Sequence, residues 1–424
     1  MKYLVTAPDK IDTEIKLPAS KSISNRALVI SAMAAAMNGD DIILPDNLSD
    51  CDDTDVIVNA LRDMPATIDI KAAGTAMRFM TAYLCIREGE EHIITGTERM
   101  KHRPIKILVD ALRHLGAEIE YVGEEGFPPL RIKGHNLSGG KLSIPGNVSS
   151  QYISALLMIG PTMQNGLQLT LEGEIVSRPY IDLTLCTMRD FGADVEWVGV
   201  DTIEVKPVIY TPRHYYIESD WSAASYWYQM MAMLCSEDSR VRLTGLMDGS
   251  RQGDSQVKYM FSMLGVKTTF ETKEQLVPTT VTLTSHDRKL PRMDFDFTHQ
   301  PDLAQTLIAT CLACGMKFYF RGLASLKIKE TDRIEAMKTE MRRLGYVVYD
   351  YNDSEMRWDG ERCPAEADGE IQTYDDHRMA MAIAPMAIIL GPLTINHPEV
   401  VSKSYPHFWD DLRKAGFKIT ELPE

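Results

Sequence analysis

Leu17-Pro18-Ala19-Ser20-Lys21-Ser22-Ile23-Ser24-Asn25-Arg26-Ala27 runs straight into an apolar stretch, Ala27 to Met33, which closes at Asn38-Gly39. Hydroxyl residues ahead of an apolar run and a glycine behind it mark the start and stop of a helix. This start also carries two cations, Lys21 and Arg26, where unpaired N–H groups and the helix dipole already supply positive potential. Stability alone would place an acid there, so the pattern suits an anion-binding site. A solvated cap explains one such stretch equally well; recurrence favours the anion site.

Similar caps open later apolar runs at Ala72-Ala73-Gly74-Thr75-Ala76-Met77-Arg78, Asn147-Val148-Ser149-Ser150-Gln151, Ser219-Asp220-Trp221-Ser222, His299-Gln300-Pro301-Asp302 and Asp375-Asp376-His377-Arg378. From Lys21 through Gly74, Ser149, Ser222 and Asp302 to His377 the spacings are 53, 75, 73, 80 and 75 residues, which makes six units. Second helices recur as well, each running into a glycine: Leu112 to Gly116, Met188 to Gly192, Met263 to Gly265, Met341 to Gly345 and Leu412 to Gly416, with Leu61-Arg62-Asp63-Met64-Pro65 a degenerate first copy. Alternating segments such as Glu118 to Val122 and Asp194 to Val198 then read as half-buried strands. The units are therefore mixed α/β (α+β). A period this long excludes a stacked solenoid and predicts two lobes of three units. The expected lobes are residues 20–218 and residues 1–19 plus 219–424, with the chain crossing between them near Ala19-Ser20 and Glu218-Ser219.

Composition agrees with a soluble enzyme-sized chain. Its 424 residues are 44% hydrophobic and 25% charged, with a formal charge of −15. Two cores are expected at this length. An acidic surface disfavours nucleic acid or an anionic membrane as a general partner, yet leaves room for a local basic pocket. The N-terminal apolar stretch is too short for a signal peptide, so a cytoplasmic protein is expected. Met379 to Leu393, the longest apolar region, is interrupted by Pro385 and Gly391, falls short of a membrane span and reads as a buried helix. Seven cysteines without a secretory signal predict reduced thiols, and the Cys311-Leu312-Ala313-Cys314 motif, lacking a second pair, reads as core.

Lys21, Arg26, Arg78 and Arg378 all sit at helix starts, and an anionic ligand would remove the conflict with the dipole. Lys327-Ile328-Lys329-Glu330-Thr331-Asp332-Arg333 and Glu98-Arg99-Met100-Lys101-His102-Arg103-Pro104 add two more basic runs suited to phosphate or carboxylate. Together with Ala73 to Arg78, Val148 to Gln151, Lys329 to Arg333 and Asp376-His377-Arg378-Met379-Ala380-Met381, the opening stretch resembles the signatures of the 5-enolpyruvylshikimate-3-phosphate (EPSP) synthase family. The five motifs stand in the family's order over essentially the whole chain.

That resemblance implies an inverse α/β barrel of two similar lobes, each of three βαβαββ units, with an active site in the interlobe cleft. It also implies transfer of the enolpyruvyl group of phosphoenolpyruvate to the 5-hydroxyl of shikimate 3-phosphate. By motif, Lys21, Ser22, Arg26, Ser149, Ser150, Gln151, Ser177, Tyr180, Asp302, Ser325 and Lys329 would hold shikimate 3-phosphate. Lys21, Gly74, Arg103, Gln151, Arg333, Arg378 and Lys403 would hold phosphoenolpyruvate. Asp302 and Glu330 match the family's proton-transferring acids, Lys21 would touch both substrates, and His377 reads as an auxiliary proton carrier or, beside Asp376, as a satisfied structural histidine. Ala72 replaces a side-chain amide common in the family, Phe79 a proline, and Ser325 an asparagine. The sister transferase acting on UDP-N-acetylglucosamine commonly carries a reactive cysteine on the loop matching Thr97 to Arg103, where this chain has none. A binding protein for a phosphorylated ligand would keep the cations without needing Asp302 and Glu330. No cofactor and no metal are implied, and the chain is expected to act as a monomer.

Overall fold

A computed structural model describes residues 1–287, 290–366 and 369–423. The chain separates into two compact units, Ala19–Ile217 on one side and Met1–Pro18 with Glu218–Glu424 on the other.

Helices come in alternating pairs. α1 (Lys21–Asn38) is followed by α2 (Asp52–Asp63), α3 (Gly74–Cys85) by α4 (Lys106–His114), and α5 (Ser150–Ile159) by α6 (Arg178–Asp190). In the other unit α7 (Trp221–Leu234) precedes α8 (Val257–Ser262), α9 (Ala304–Ala313) precedes α10 (Arg333–Arg343), and α11 (His377–Ile383) precedes α12 (Phe408–Lys414). The first helix of each pair is apolar almost all round and therefore buried; every residue of α9 and α11 is inside. The second is amphipathic. α4, for instance, turns Leu108, Val109, Ala111 and Leu112 inward. Glycines stop five of these second helices with a left-handed turn, Gly116, Gly192, Gly265, Gly345 and Gly416, at φ between 87° and 104°. α2 ends instead on Met64 at φ 37°.

Five four-stranded sheets share one wiring. In the unit Ala19–Ile217, Thr67–Asp69 pairs parallel with Glu91–Thr95, which pairs antiparallel with Leu130–Lys133, which in turn pairs antiparallel with Glu118–Tyr121. Gly140–Pro145, Leu167–Glu172, Thr202–Val205 and Val195–Trp197 repeat the order, as do Arg292–Asp296, Lys317–Arg321, Glu355–Trp358 and Tyr349–Tyr351. These are βαβαββ units with one half-buried face, as in Gly140–Pro145, where Leu142 and Ile144 point in and Lys141 and Ser143 point out.

The remaining two sheets borrow strands from the N-terminus. Asp12–Lys16 lies parallel to Arg240–Met247 as a first strand. Lys2–Thr6 lies between Leu393–Asn396 and Lys418–Leu422 as a last one. The repeat around α1 and α2 departs from the pattern. Among the described residues its pairing is reduced to one parallel bridge, Asp46 to Tyr216. Four residues after α2 ends, the chain is already in Thr67–Asp69 of the next sheet, so no chain is left for a hairpin.

The apolar stretch Met379 to Leu393 is not the single buried helix expected from its composition. Pro385 ends α11 in a short 3-10 turn, Ala384–Met386, and after the brief helix Ala387–Leu390, Gly391 at φ 84° turns the chain into the strand Leu393–Asn396. Cys311 is buried within α9 and Cys314 caps it. No helix among the described residues is long and apolar enough to cross a membrane.

Candidate active site

Polar helix starts gather separately in each unit. In Ala19–Ile217, Ser20 caps α1 by accepting from the Ile23 N–H at 3.4 Å, and Lys21 pairs with Asp53 at 3.0 Å. Arg26 lies one turn further along and is buried. Its Nε donates to Thr184 Oγ1 at 2.7 Å, Nη1 to the Ser22 carbonyl at 2.8 Å, and Nη2 to Ser154 Oγ at 3.1 Å and the Tyr180 carbonyl at 3.3 Å. All four acceptors are neutral. Burial accordingly pushes this guanidinium down to about 10, against the usual preference of Arg for its charged form. The bonds join the starts of α1 and α6, so the Ser22 and Tyr180 carbonyls are held by one cation. Ser177 itself sits in left-handed backbone, φ 54°, immediately before Arg178-Pro179 open α6.

Gly74 begins α3 without a side-chain cap, and the Arg103 guanidinium lies directly over it. A Cβ built on Gly74 would stand 2.5 Å from Arg103 Nη1. A cation against the positive end of a helix is an arrangement that an anion would relieve. Gln151 Nε2 donates to Thr75 Oγ1 at 3.0 Å, which draws the Ser149-Ser150-Gln151 start of α5 to the same place. Ser149 caps α5 through the Gln151 N–H at 3.3 Å.

Arg78 differs from the reading that counts it among the anion-facing cations. It is buried, with Nη1 donating to the Gly74 carbonyl at 3.2 Å and Nη2 to the Pro104 carbonyl at 3.1 Å. Tyr152 donates to the same Pro104 carbonyl at 2.5 Å, and its ring lies under the Arg78 guanidinium, 5.7 Å from centroid. Arg78 thus ties down the segment that carries Arg103. Sequence spacing places it at the helix start, but only the packing shows where its donors are spent.

The second cluster lies in the unit formed by Met1–Pro18 and Glu218–Glu424, and Arg333 is its centre. This side chain is 2% exposed and meets three carboxylates: Asp376 at 2.7 Å and 3.2 Å, Glu330 at 2.8 Å and Asp302 at 3.2 Å. Asp302 also takes Arg378 Nη2 at 3.0 Å and Lys329 at 3.5 Å. Burial works to raise the Asp302 carboxyl, but the charges of Arg378, Lys329 and Arg333 outweigh it and hold the group well below the ordinary carboxylate range. Arg378 further reaches the Asp302 carbonyl at 3.2 Å and the Tyr226 hydroxyl at 3.5 Å.

Asp376 is fully buried and has two duties, capping α11 through the Arg378 N–H at 2.9 Å while pairing with Arg333. His377 follows it, also buried, with Nδ1 3.9 Å from Asp376 Oδ1. Lys403 is not in contact with this carboxylate group; its ammonium donates to the Asp375 carbonyl at 2.6 Å. Ser325, in the 3-10 turn Ala324–Ile328, is half-buried.

Two further acids belong here: Asp220, within the fourth of the caps, and Asp254, which carries no motif signal. Asp220 caps α7 through the N–H groups of Ser222 and Ala223 at 2.7 Å and 3.2 Å. Asp254, buried, is hydrogen-bonded by the Ser222 hydroxyl, and burial together with the charge of Asp302 pushes it up to about 6. Among the described residues no group of three or more His, Cys, Asp or Glu side chains is arranged to hold a metal ion.

In the second cluster the cations Arg333, Arg378 and Lys329 are shared among the protein's own carboxylates. An anionic substrate bearing carboxylate and phosphate could compete for the same donors. Known proteins point the same way. The family model described as EPSP synthase (3-phosphoshikimate 1-carboxyvinyltransferase) matches residues 5–69 and 64–412. A 3-phosphoshikimate 1-carboxyvinyltransferase of Bacteroides fragilis is 57% identical over 419 residues, 99% of each chain. One of Actinobacillus pleuropneumoniae is 35% identical over 98% of this chain and 99% of its own. The solved EPSP synthase of Acinetobacter baumannii, 22% identical, shares the fold with a TM-score of 0.77 over 99% of this chain and all of that one. With a family model spanning nearly its whole length and a relative identical at more than half of the aligned positions, the chain belongs to the EPSP synthase family.

Proposed function

We propose that the chain catalyses the family reaction through a division of labour among the residues just described. The 5-hydroxyl of shikimate 3-phosphate adds to C2 of phosphoenolpyruvate while C3 takes up a proton. The resulting tetrahedral adduct then loses a C3 proton and inorganic phosphate, leaving the enolpyruvyl ether. Asp302 accepts the hydroxyl proton and Glu330 protonates C3, with His377 an auxiliary carrier.

The observation that carries this reading is the cluster of Arg333, Arg378 and Lys329 around Asp302. Three cations keep Asp302 ionised, as a base must be, and phosphoenolpyruvate taking over Arg333 and Arg378 would raise its proton affinity at the moment of reaction. Cations released from Asp302 would also stabilise the departing phosphate. Arg103, lying over the unblocked start of α3, joins Lys21, Gly74, Gln151, Arg333, Arg378 and Lys403 as the phosphoenolpyruvate set, Lys21 touching both substrates. Lys21, Ser22, Arg26, Ser149, Ser150, Gln151, Ser177, Tyr180, Asp302, Ser325 and Lys329 hold shikimate 3-phosphate, Arg26 by fixing the Ser22 and Tyr180 backbone. We read the enzyme as a cytoplasmic monomer, which sedimentation and cell fractionation test.

Phosphate release is the direct assay, run with phosphoenolpyruvate and shikimate 3-phosphate and with UDP-N-acetylglucosamine as the control acceptor. Release with shikimate 3-phosphate alone is expected; release with neither would remove the transferase reading. Glu330→Gln should bind shikimate 3-phosphate nearly as before while phosphate release falls by about 100-fold or more. Full activity in that variant would remove the assignment of Glu330.

A further inference from the structure

We infer that Glu340 and Tyr374 form a positioning pair for the phosphoenolpyruvate cations, the Tyr374 hydroxyl and the buried Glu340 carboxylate together fixing the turn from which Asp376, Arg378 and the anchor of Lys403 are delivered. This rests on the reading that Arg333, Arg378 and Lys403 hold phosphoenolpyruvate.

Glu340 lies on α10, seven residues after Arg333 and thus on the same face of the helix. Its side chain is fully buried. Oε1 accepts the Tyr374 O–H at 2.6 Å, and Oε2 accepts the Gln372 N–H at 3.1 Å and Arg343 Nη1 at 3.3 Å. Arg343 in turn donates to the Glu370 carbonyl at 3.2 Å. One end of α10 therefore grips the chain from Glu370 to Tyr374. The other end grips it again through Arg333 and Asp376. Burial raises the Glu340 carboxyl, and the three donors work against that effect.

Between the two grips the backbone is strained. Tyr374 and Asp375 are consecutive residues in the left-handed region, at φ 53° and 54°, and neither is glycine. Such a turn persists only where its surroundings over-determine it, and strain of this kind gathers at functional sites. The surroundings are specific here: Glu340 on the Tyr374 side chain, Lys403 on the Asp375 carbonyl at 2.6 Å, and the Thr373 carbonyl accepting the Asp376 N–H at 2.8 Å. Asp376 begins immediately afterwards, with its pairing to Arg333 and its cap on Arg378. A shift of the Tyr374-Asp375 turn thus moves three cations together: Arg333 through Asp376, Arg378 through the start of α11, and Lys403 through the Asp375 carbonyl. Neither Glu340 nor Tyr374 is placed against substrate, so they act through these others.

The test measures steady-state kinetics of Tyr374→Phe and Glu340→Gln, varying each substrate separately, with Lys403→Met as a control on the site. Phe removes one hydroxyl and keeps the ring; Gln keeps the shape of the glutamate. Tyr374→Phe should raise KM for phosphoenolpyruvate about ten-fold while KM for shikimate 3-phosphate stays within about two-fold. Glu340→Gln should shift the same constant in the same direction, and the double variant should fall short of the product of the two effects because both act on one bond. A raised phosphoenolpyruvate KM in Lys403→Met with none in Tyr374→Phe overturns this inference alone. A proportional rise of both KM values, accompanied by a fall in melting temperature, also overturns it, because the pair would then support only the fold. An unchanged phosphoenolpyruvate KM in Lys403→Met removes the site reading and this inference with it.

Discussion

At Gly74 a missing side chain decides what a neighbouring cation can do. Arg103 Nη1 occupies the space a Cβ would enter, 2.5 Å away, and Arg103 is the end of a long flexible side chain. Gly74→Ala should therefore move the guanidinium and leave the helix intact. KM for phosphoenolpyruvate is expected to rise about ten-fold while the melting temperature changes by no more than a few degrees; a large loss of melting temperature with an unchanged KM would contradict this.

Asp254 makes a pH-dependent contribution of definite sign. Burial and the neighbouring Asp302 charge raise its carboxyl to about 6, above its unfolded value, so the folded protein binds the proton more tightly. Its favourable contribution is complete below the unfolded value and is lost as pH rises through about 6. Asp254→Asn should accordingly be more stable than the parent at pH 8, by about 3 kcal/mol in chemical denaturation, with most of the gain gone near pH 4. A difference independent of pH would count against it. Asp302, held low by its three cations, has the opposite sign and loses its stabilisation as pH falls.

Among elements, α11 depends on one residue for two purposes. Asp376 caps the helix and neutralises the buried Arg333. Asn in its place can still accept the Arg378 N–H but leaves Arg333 short of a charge. Asp376→Asn is expected to cost about 3 kcal/mol by chemical denaturation, the usual scale for breaking a buried ion pair. A cost under about 1 kcal/mol would mean that Glu330 and Asp302 neutralise Arg333 sufficiently on their own. The presence of α11 was legible in the order polar cap then apolar run. Its length was not, because the apolar content of Met379 to Leu393 serves α11, a short second helix and a strand alike. Local periodicity identifies burial but cannot say how many elements share it. Likewise the degenerate Leu61 to Pro65 marked the first repeat as atypical, while the loss of its sheet followed from chain length between α2 and Thr67–Asp69.

For the molecule as a whole, the N-terminal segment completes sheets of the unit that holds Arg333. Lys2–Thr6 is an interior strand, bonded on both sides. Removing residues 1–8 would leave Lys418–Leu422 without its neighbour. Trp221, Trp227, Trp358 and Trp409 report on that unit, whereas Trp197 is the single tryptophan of Ala19–Ile217. Tryptophan fluorescence in the truncated chain should therefore show most of its change at lower denaturant than in the parent, with a tryptophan-free probe of Ala19–Ile217 unmoved. Coincident shifts by both probes would refute the assignment of that strand to one unit.

From sequence alone came the alternation of apolar and amphipathic helices and the cations at helix starts, because each depends on residues only a few positions apart, and the repeat, because those local patterns recur along the chain. Tertiary structure alone decided what those cations do. Arg26 and Arg78 spend their donors on serine, threonine and backbone oxygens, whereas Arg103 is laid over the start of α3. Arg333 meets Asp302 and Asp376 from 31 and 43 positions away. Asp254 and Glu340 carry no pattern of their own, since a buried acid is defined by the donors that distant chain brings to it. The opening stretch could announce a place for an anion, but which charges remain available to hold one is a matter of pairing in three dimensions.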